Sequence, residues 1–252
     1  MARLARVVVP GHPHHVTQRG VRSMRVFREP ADYERYLDLL RAQSRRFGLE
    51  FLAWCLMPNH VHLVAVPAGE DSLARAIGEA HRRFTCARNE AEGVKGYLFQ
   101  GRFFSCVLDE PHLLAAVRYA ELNPVRARLA PRPEDYPYSS APARVDAQGL
   151  DPLVADPTLA GLVENWQEFW READEPAEAN LRARTRTGRP AGSMRFVKRI
   201  ERLTGRVLRE KKRGRKSKRT PQAAGEGPQP ADPQLHPRLR GRIATRRDPG
   251  PG

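Results

Sequence analysis

The chain is 252 residues long and carries 44 Lys and Arg against 29 Asp and Glu, a formal net charge of +15. That length suits one substantial domain with extensions or two small ones. No run of about 18 apolar residues occurs, which excludes a membrane-spanning helix. The N-terminus shows no signal-peptide pattern, so a cytoplasmic protein is expected. Cys55, Cys86 and Cys106 are odd in number and widely spaced in apolar surroundings. They exclude a disulfide framework or zinc knuckle and predict three small buried thiols. Charge is unevenly placed: residues 1–130 carry a net +6, residues 131–180 a net −8 and residues 181–252 a net +17. A basic body, an acidic spacer and a strongly basic tail suit a polyanion partner, with nucleic acid the first candidate.

In chain order, Val7-Val8-Val9 and then His14-His15-Val16-Thr17 read as a first strand interrupted at Pro10-Gly11-His12-Pro13. Glu29-Pro30-Ala31-Asp32 opens a helix with Tyr33, Tyr36, Leu37, Leu40 and Phe47 at helical spacing, and Gly48 closes it. Residues 51–66 form a hairpin about Pro58-Asn59, where Pro suits the second turn position and Asn tolerates a left-handed third. A second helix begins near Asp71-Ser72, with Leu73, Ile77, Ala80 and Phe84 as its apolar stripe. Residues 97–108 form a fourth strand region bent at Gly101. The order βαββαβ predicts an α+β, ferredoxin-like sheet with two helices on one face.

One more helix starts at Asp109-Glu110-Pro111 and stops or kinks at Asn123-Pro124. The main domain is therefore placed at residues 1–130. Residues 131–180 read as an acidic, Pro/Ala-rich connection, with Trp166, Phe169 and Trp170 on a short packed helix. Residues 181–252 read as a basic, largely disordered tail. Within it, residues 193–209 form a short basic helix with Phe196, Ile200, Leu203 and Val207 as its stripe.

His60 and His62 open an apolar strand, and strand alternation points both to one face with Val61 on the other. Two imidazoles on one hairpin face are half of a metal site and need a third ligand from elsewhere. On the helix over residues 112–123, Leu113, Val117 and Ala120 define the side that packs, joined by Leu114. Tyr119 sits roughly 150° from the centre of that side, and Asn123, four residues on, shares its face. One face thus offers a phenol and an amide together, while His112 near the same stripe reads as a bystander.

His60-Val61-His62 matches the histidine–hydrophobe–histidine (HUH) motif of single-tyrosine transposases. Residues 119–127, Tyr-Ala-Glu-Leu-Asn-Pro-Val-Arg-Ala, resemble the nucleophile helix of their REP-associated branch. His15-Val16-Thr17 with Arg19-Gly20, Phe99-Gln100-Gly101-Arg102-Phe103 and Gly188-Arg189-Pro190 add to a resemblance that covers residues 1–145 well and 185–210 loosely. It implies a ferredoxin-like fold with an additional nucleophile helix, and a divalent ion. It also implies cleavage and rejoining of single-stranded DNA through a covalent 5′-phosphotyrosine link at hairpin-forming repeats, in DNA transposition or repeat processing. Carried over by position, Tyr119 is the nucleophile and His60, His62 and Asn123 are metal ligands. Relatives often have Gln or Glu where this chain has Asn123.

A phenol with a pKa of about 10 is scarcely ionised at pH 7, so it needs a polarised phosphodiester held in line. Two neutral imidazoles and an amide oxygen would accept Mg²⁺ or Mn²⁺ and leave positions open for phosphate oxygens. Arg19, Arg22 and Arg102 in the body, and Arg189, Arg213 and Arg215 in the tail, are the candidate DNA contacts, for single-stranded or hairpin DNA. Whether the protein acts as a monomer or a homodimer is left open. The alternative is a non-catalytic nucleic-acid-binding module whose Phe99, Phe103 and Phe104 stack bases, a scheme that gives a His-x-His pair and an off-core tyrosine no task.

Overall fold

Residues 5–146, 149–155, 159, 161–172 and 175–209 are described by the computed structural model. Four strands, β1 (His14–Arg19), β2 (Leu49–Met57), β3 (His60–Pro67) and β4 (Phe104–Val107), form one antiparallel sheet in the order β2-β3-β1-β4. The helices α1 (Pro30–Phe47) and α2 (Ser72–Glu92) join β1 to β2 and β3 to β4. This is the ferredoxin-like βαββαβ arrangement that the order of elements predicts. No described helix is long and apolar enough to cross a membrane.

The two faces of the sheet divide by residue parity. Val16, Trp54, Leu56, Val61, Leu63 and Ala65 face α1 and α2, whose Tyr33, Tyr36, Leu40, Leu73, Ile77 and Phe84 complete that core. Helix α1 opens on a capping box between Glu29 and Asp32, with Pro30 in its first turn, and ends where Gly48 turns left-handed at φ 63°. The Asp32 carboxylate also takes the Arg88 guanidinium of α2 at 2.6 Å, a buried pair that ties the two helices together.

The other face is covered by the helix expected after Asp109 and by residues farther along the chain. Ala53, Val64 and Cys106 meet Leu113, Ala116 and Val117 of α3 (Glu110–Glu121), and Leu159, Phe169, Trp170 and Leu181 close over them. A short α4 (Asn123–Arg126) follows, then α5 (Ala141–Val145), α6 (Trp166–Arg171), α7 (Glu175–Thr187) and α8 (Met194–Thr204). Glu121 is the pin for this layer. Its fully buried carboxylate accepts from Ser140 Oγ at 2.7 Å, Arg144 Nε at 3.1 Å and Trp170 Nε1 at 2.8 Å. Three donors offset the desolvation of one charge. The described residues between 131 and 172 therefore return to the body at several points of what the sequence suggests is an acidic, Pro/Ala-rich connection.

Four expectations are corrected. The first strand begins only at His14, because Pro10 and Pro13 cannot donate to a ladder; Val7 and Val9 pack instead on Val107, Ile200 and Leu208. The fourth strand is confined to Phe104–Val107, since the chain turns at Gly101 with φ 51°. Cys55 and Cys106 are buried, but Cys86 is exposed, two residues past buried Phe84 on the outward side of α2. The tail does not leave the body at residue 181. Leu181 and Thr185 are buried on α7, and α8 docks through Val197 and Ile200 while Leu203 and Val207 stay exposed. Gly205, at φ 64°, turns the chain so that Leu208 takes the buried place expected of Val207. The remainder of the tail, from residue 210, lies outside the described residues.

Candidate active site

Pairing of β1 with β3 sets Thr17 opposite His62 and Arg19 opposite His60, so His15, Thr17, Arg19, His60 and His62 share the face that α3 crosses. The hairpin tip that carries His60 is braced from one loop. Pro58 O accepts from the amides of Val26 at 2.7 Å and Phe27 at 3.1 Å, and Asn59 O accepts from Gly20 N at 2.9 Å. Only glycine fits at position 20, where a Cβ would come within 2.4 Å of Met24 O.

Helix α3 brings the phenol. Asp109 caps it, accepting from His112 N at 3.2 Å and lying 2.6 Å from His112 Nδ1, so His112 serves the cap and stays apart from the site. Tyr119 is half-buried near the other end, its ring edge-on to His62 with centroids 5.1 Å apart and to His15 at 6.1 Å. Leu122 breaks the helix, and Asn123 starts α4 with Pro124 in its first turn. The Asn123 amide nitrogen donates to Tyr119 O at 2.9 Å, and the same side chain is hydrogen-bonded to His60. A cleft of about 380 Å³ gathers His60, His62, Tyr119 and Asn123, with Arg19 on one wall and Arg182 and Arg186 of α7 on another.

Burial sets the protonation of the imidazoles. His60 is lowered to about 4 by desolvation and then by Arg19, with its side-chain hydrogen bond to Asn123 opposing. His62 is held well below the ordinary histidine range by desolvation, then by His60, His15 and Arg19. Both are neutral at pH 7, the form that can ligate. His60 Nδ1 lies 2.6 Å from Asn59 Oδ1, an atom that can only accept, and Asn59 Nδ2 reaches Ser23 O at 3.4 Å, which orients the amide. His60 Nδ1 is therefore protonated and Nε2 is bare. Among the described residues no three His, Cys, Asp or Glu side chains form a metal-binding group. The donor set is two imidazoles and a carboxamide oxygen, which fits a hard or borderline divalent ion better than a structural zinc.

Of the candidate DNA contacts, Arg19 lines the cleft. Arg102 lies in a small adjoining pocket with Arg6, Phe103, Ser105 and Thr185. Arg22 is exposed in a tight turn at φ 53° and does not line the cleft. Arg189 is spent on structure, donating to Leu208 O beyond the end of α8. Arg213 and Arg215 fall outside the described residues. Of the three phenylalanines considered for base stacking, Phe99 and Phe103 are buried in the α1/α2 core, whereas Phe104 is partly exposed and lines the cleft. Sequence reading quotes His15 and Gln100 only within motif matches and gives them no site role, and it misses Arg182, Thr185 and Arg186 at the cleft. The 182/185/186 spacing puts the last three on one helix face, but nothing local ties that face to β1.

A ferredoxin-like sheet with a histidine pair, a tyrosine and a carboxamide in an arginine-walled cleft defines a domain built to act on a polyanion. Residues 9–123, a little under half of the chain, match the family profile described as transposase, IS200-like. Among solved structures, the chain is similar to a REP-associated tyrosine transposase bound to a REP hairpin. The identity is 21% and the TM-score 0.50, over 62% of this chain and 92% of that one, a likeness of fold. A second similar structure, a proposed transposase from Deinococcus radiodurans R1, is 19% identical with a TM-score of 0.34, over 51% of this chain and 92% of that one. No curated protein matches the chain.

Proposed function

We propose that the protein is a single-tyrosine strand transferase that cleaves and rejoins single-stranded DNA, at hairpin-forming repeats, through a covalent bond to Tyr119. The observation that supports this reading above all is the convergence of the Tyr119 phenol, the two neutral histidines and Asn123 in one cleft lined by arginines. The similar fold of a hairpin-bound REP-associated transposase supports hairpin DNA as the substrate.

In this reading the Tyr119 oxygen attacks a backbone phosphorus, the bond to the 3′ oxygen breaks, and the 5′ phosphate remains on the tyrosine. The phenolic proton lost is matched by the one gained on the departing 3′ oxygen. Because the phosphotyrosine keeps the energy of a phosphodiester, a 3′-hydroxyl can reverse the step with no nucleotide cofactor. Arg19, Arg182 and Arg186 hold phosphates in the cleft. His60, His62 and Asn123 would hold a divalent ion, Mg²⁺ or Mn²⁺, which when bound supplies polarisation of the phosphate oxygens.

The test is incubation with end-labelled single-stranded hairpin DNA, with and without Mg²⁺, followed by denaturing electrophoresis. A metal-dependent protein–DNA adduct is expected. Full binding without any adduct when Mg²⁺ is present would return the chain to a binding module.

A further inference from the structure

Helix α7 lies beyond the segment that matches the family, yet one of its side chains reaches the histidine pair. Thr185 Oγ is 2.8 Å from Leu181 O, a carbonyl that can only accept, so the single hydroxyl proton is committed there. The same oxygen lies 2.8 Å from His15 Nδ1 and 3.2 Å from Cys106 Sγ, and must accept from both. His15 Nδ1 therefore carries a proton. The His15 ring is buried, and its nitrogens meet a hydroxyl and an imidazole with no carboxylate, so it is neutral and its Nε2 is bare. That bare nitrogen lies 3.1 Å from His62 Nδ1, which must be the donor. A neutral imidazole has one N–H, so His62 Nε2 is left with its lone pair.

We infer that Thr185 and His15 are positioning residues that fix the tautomer of His62 and keep its Nε2 unprotonated for the cleft. The inference rests on the reading of His62 as a metal ligand. The two histidines then present the same tautomer by different devices. His60 is set by its chain neighbour Asn59, and His62 by a relay that ends on a helix 170 residues away from His15. Without the Thr185 acceptor, His15 can move its proton to Nε2. His62 Nδ1 must then accept, and its own proton shifts to the nitrogen the ligand site needs. Partners of this kind typically alter metal affinity by about 10–100-fold.

The test uses full-length, metal-free protein with ¹⁵N-labelled histidine rings. Long-range ¹H–¹⁵N spectra distinguish protonated from bare ring nitrogens, and Mn²⁺ titration gives affinity. Wild type should show His62 protonated at Nδ1 and bare at Nε2. Thr185→Val and His15→Leu should lose that tautomer and weaken Mn²⁺ binding about tenfold or more. Thr185→Ser should behave as wild type, and so should His15→Gln, whose amide can donate to Thr185 and accept from His62. A wild-type His62 protonated at Nε2 overturns the relay, and that spectrum decides the matter even if Thr185→Val fails to fold. Loss of Mn²⁺ binding in His62→Ala, but in neither Thr185→Val nor His15→Leu, overturns the relay alone. Wild-type affinity in His62→Ala overturns the ligand reading itself.

Discussion

Tyr119 stands edge-on to His62, ring centroids 5.1 Å apart and planes at 88°, so the phenol of α3 is seated directly on the β3 histidine. The arrangement joins two residues that no local pattern connects, one from a strand and one from a helix that crosses it. Packing through Leu113, Ala116 and Val117 holds that crossing in place. Removing only the phenolic oxygen should leave the seat intact. Tyr119→Phe is expected to abolish covalent attachment to hairpin DNA while binding stays within a few-fold of wild type, read by denaturing gel and by equilibrium binding. A Phe variant that still forms adduct would place the nucleophile elsewhere.

Chelation separates metal from fold. With a chelator present, cleavage should cease and hairpin binding should persist in part, and Mn²⁺ should restore activity. His60→Gln is the more telling single variant, because His60 sits at the strand mouth and is less enclosed than His62. It should retain the wild-type melting temperature while requiring far more Mn²⁺ for cleavage. Normal cleavage at ordinary metal concentrations would remove His60 from the ligand set.

Much of this site is legible in the sequence because its parts are local. Alternation puts His60 and His62 on one face, and helical spacing puts Tyr119 with Asn123. Capping and turn residues mark α1, the hairpin and the start of α3. The contribution of α7 is not legible. A contact between His15 and Thr185 spans 170 residues and leaves no periodic trace. The arginines of α7 also disguise Leu181 and Thr185, both deeply buried, as part of a solvated tail. Glu121 is hidden for a similar reason: its three partners come from residues 140, 144 and 170.

That buried carboxylate gives a stability prediction. Glu121→Ala leaves the Arg144 guanidinium, the Trp170 N–H and the Ser140 hydroxyl without their shared acceptor. Breaking a buried pair in this way costs about 3–5 kcal/mol. Unfolding free energies from urea titration should fall by that order, with Glu121→Gln costing less because an amide oxygen still accepts. A loss below about 1 kcal/mol would mean the layer is held by its apolar contacts alone.

Acid should destabilise the protein through its buried histidines. His81 Nε2 lies 2.8 Å from Tyr36 Oη and its ring stacks on Phe99, and burial lowers its pKa to about 3. The unfolded chain binds that proton near pH 6.5. Between the two values the unfolded state holds more protons, so stability present above pH 6.5 is lost as pH falls towards 3. His14 and His15, each lowered to about 4 by burial, add in the same sense. Melting temperatures from pH 8 to 4.5 should fall, and a His81→Gln variant that folds should fall less steeply. An identical slope in that variant would exclude His81 as a contributor.

The basic C-terminal region divides at Arg209, and the two parts should behave differently when removed. Truncation after Arg209 deletes 12 basic and 4 acidic residues and spares every buried side chain of α7 and α8. It should leave melting and adduct formation intact while weakening DNA binding broadly across sequences. Each phosphate neutralised on a single strand contributes roughly −0.7 to the slope of log K against log salt, so the loss of four contacts would lower the slope magnitude by about 3. Truncation after Asn180 removes Leu181 from the core and Thr185 from its bond to His15, so it should destabilise the protein and impair the site as well. Salt titrations of the three proteins on matched and scrambled hairpins, beside their melting curves, read both effects. If truncation after Arg209 leaves the slope unchanged but erases preference for the matched hairpin, the deleted residues read sequence or shape, and the charge-only account of them fails.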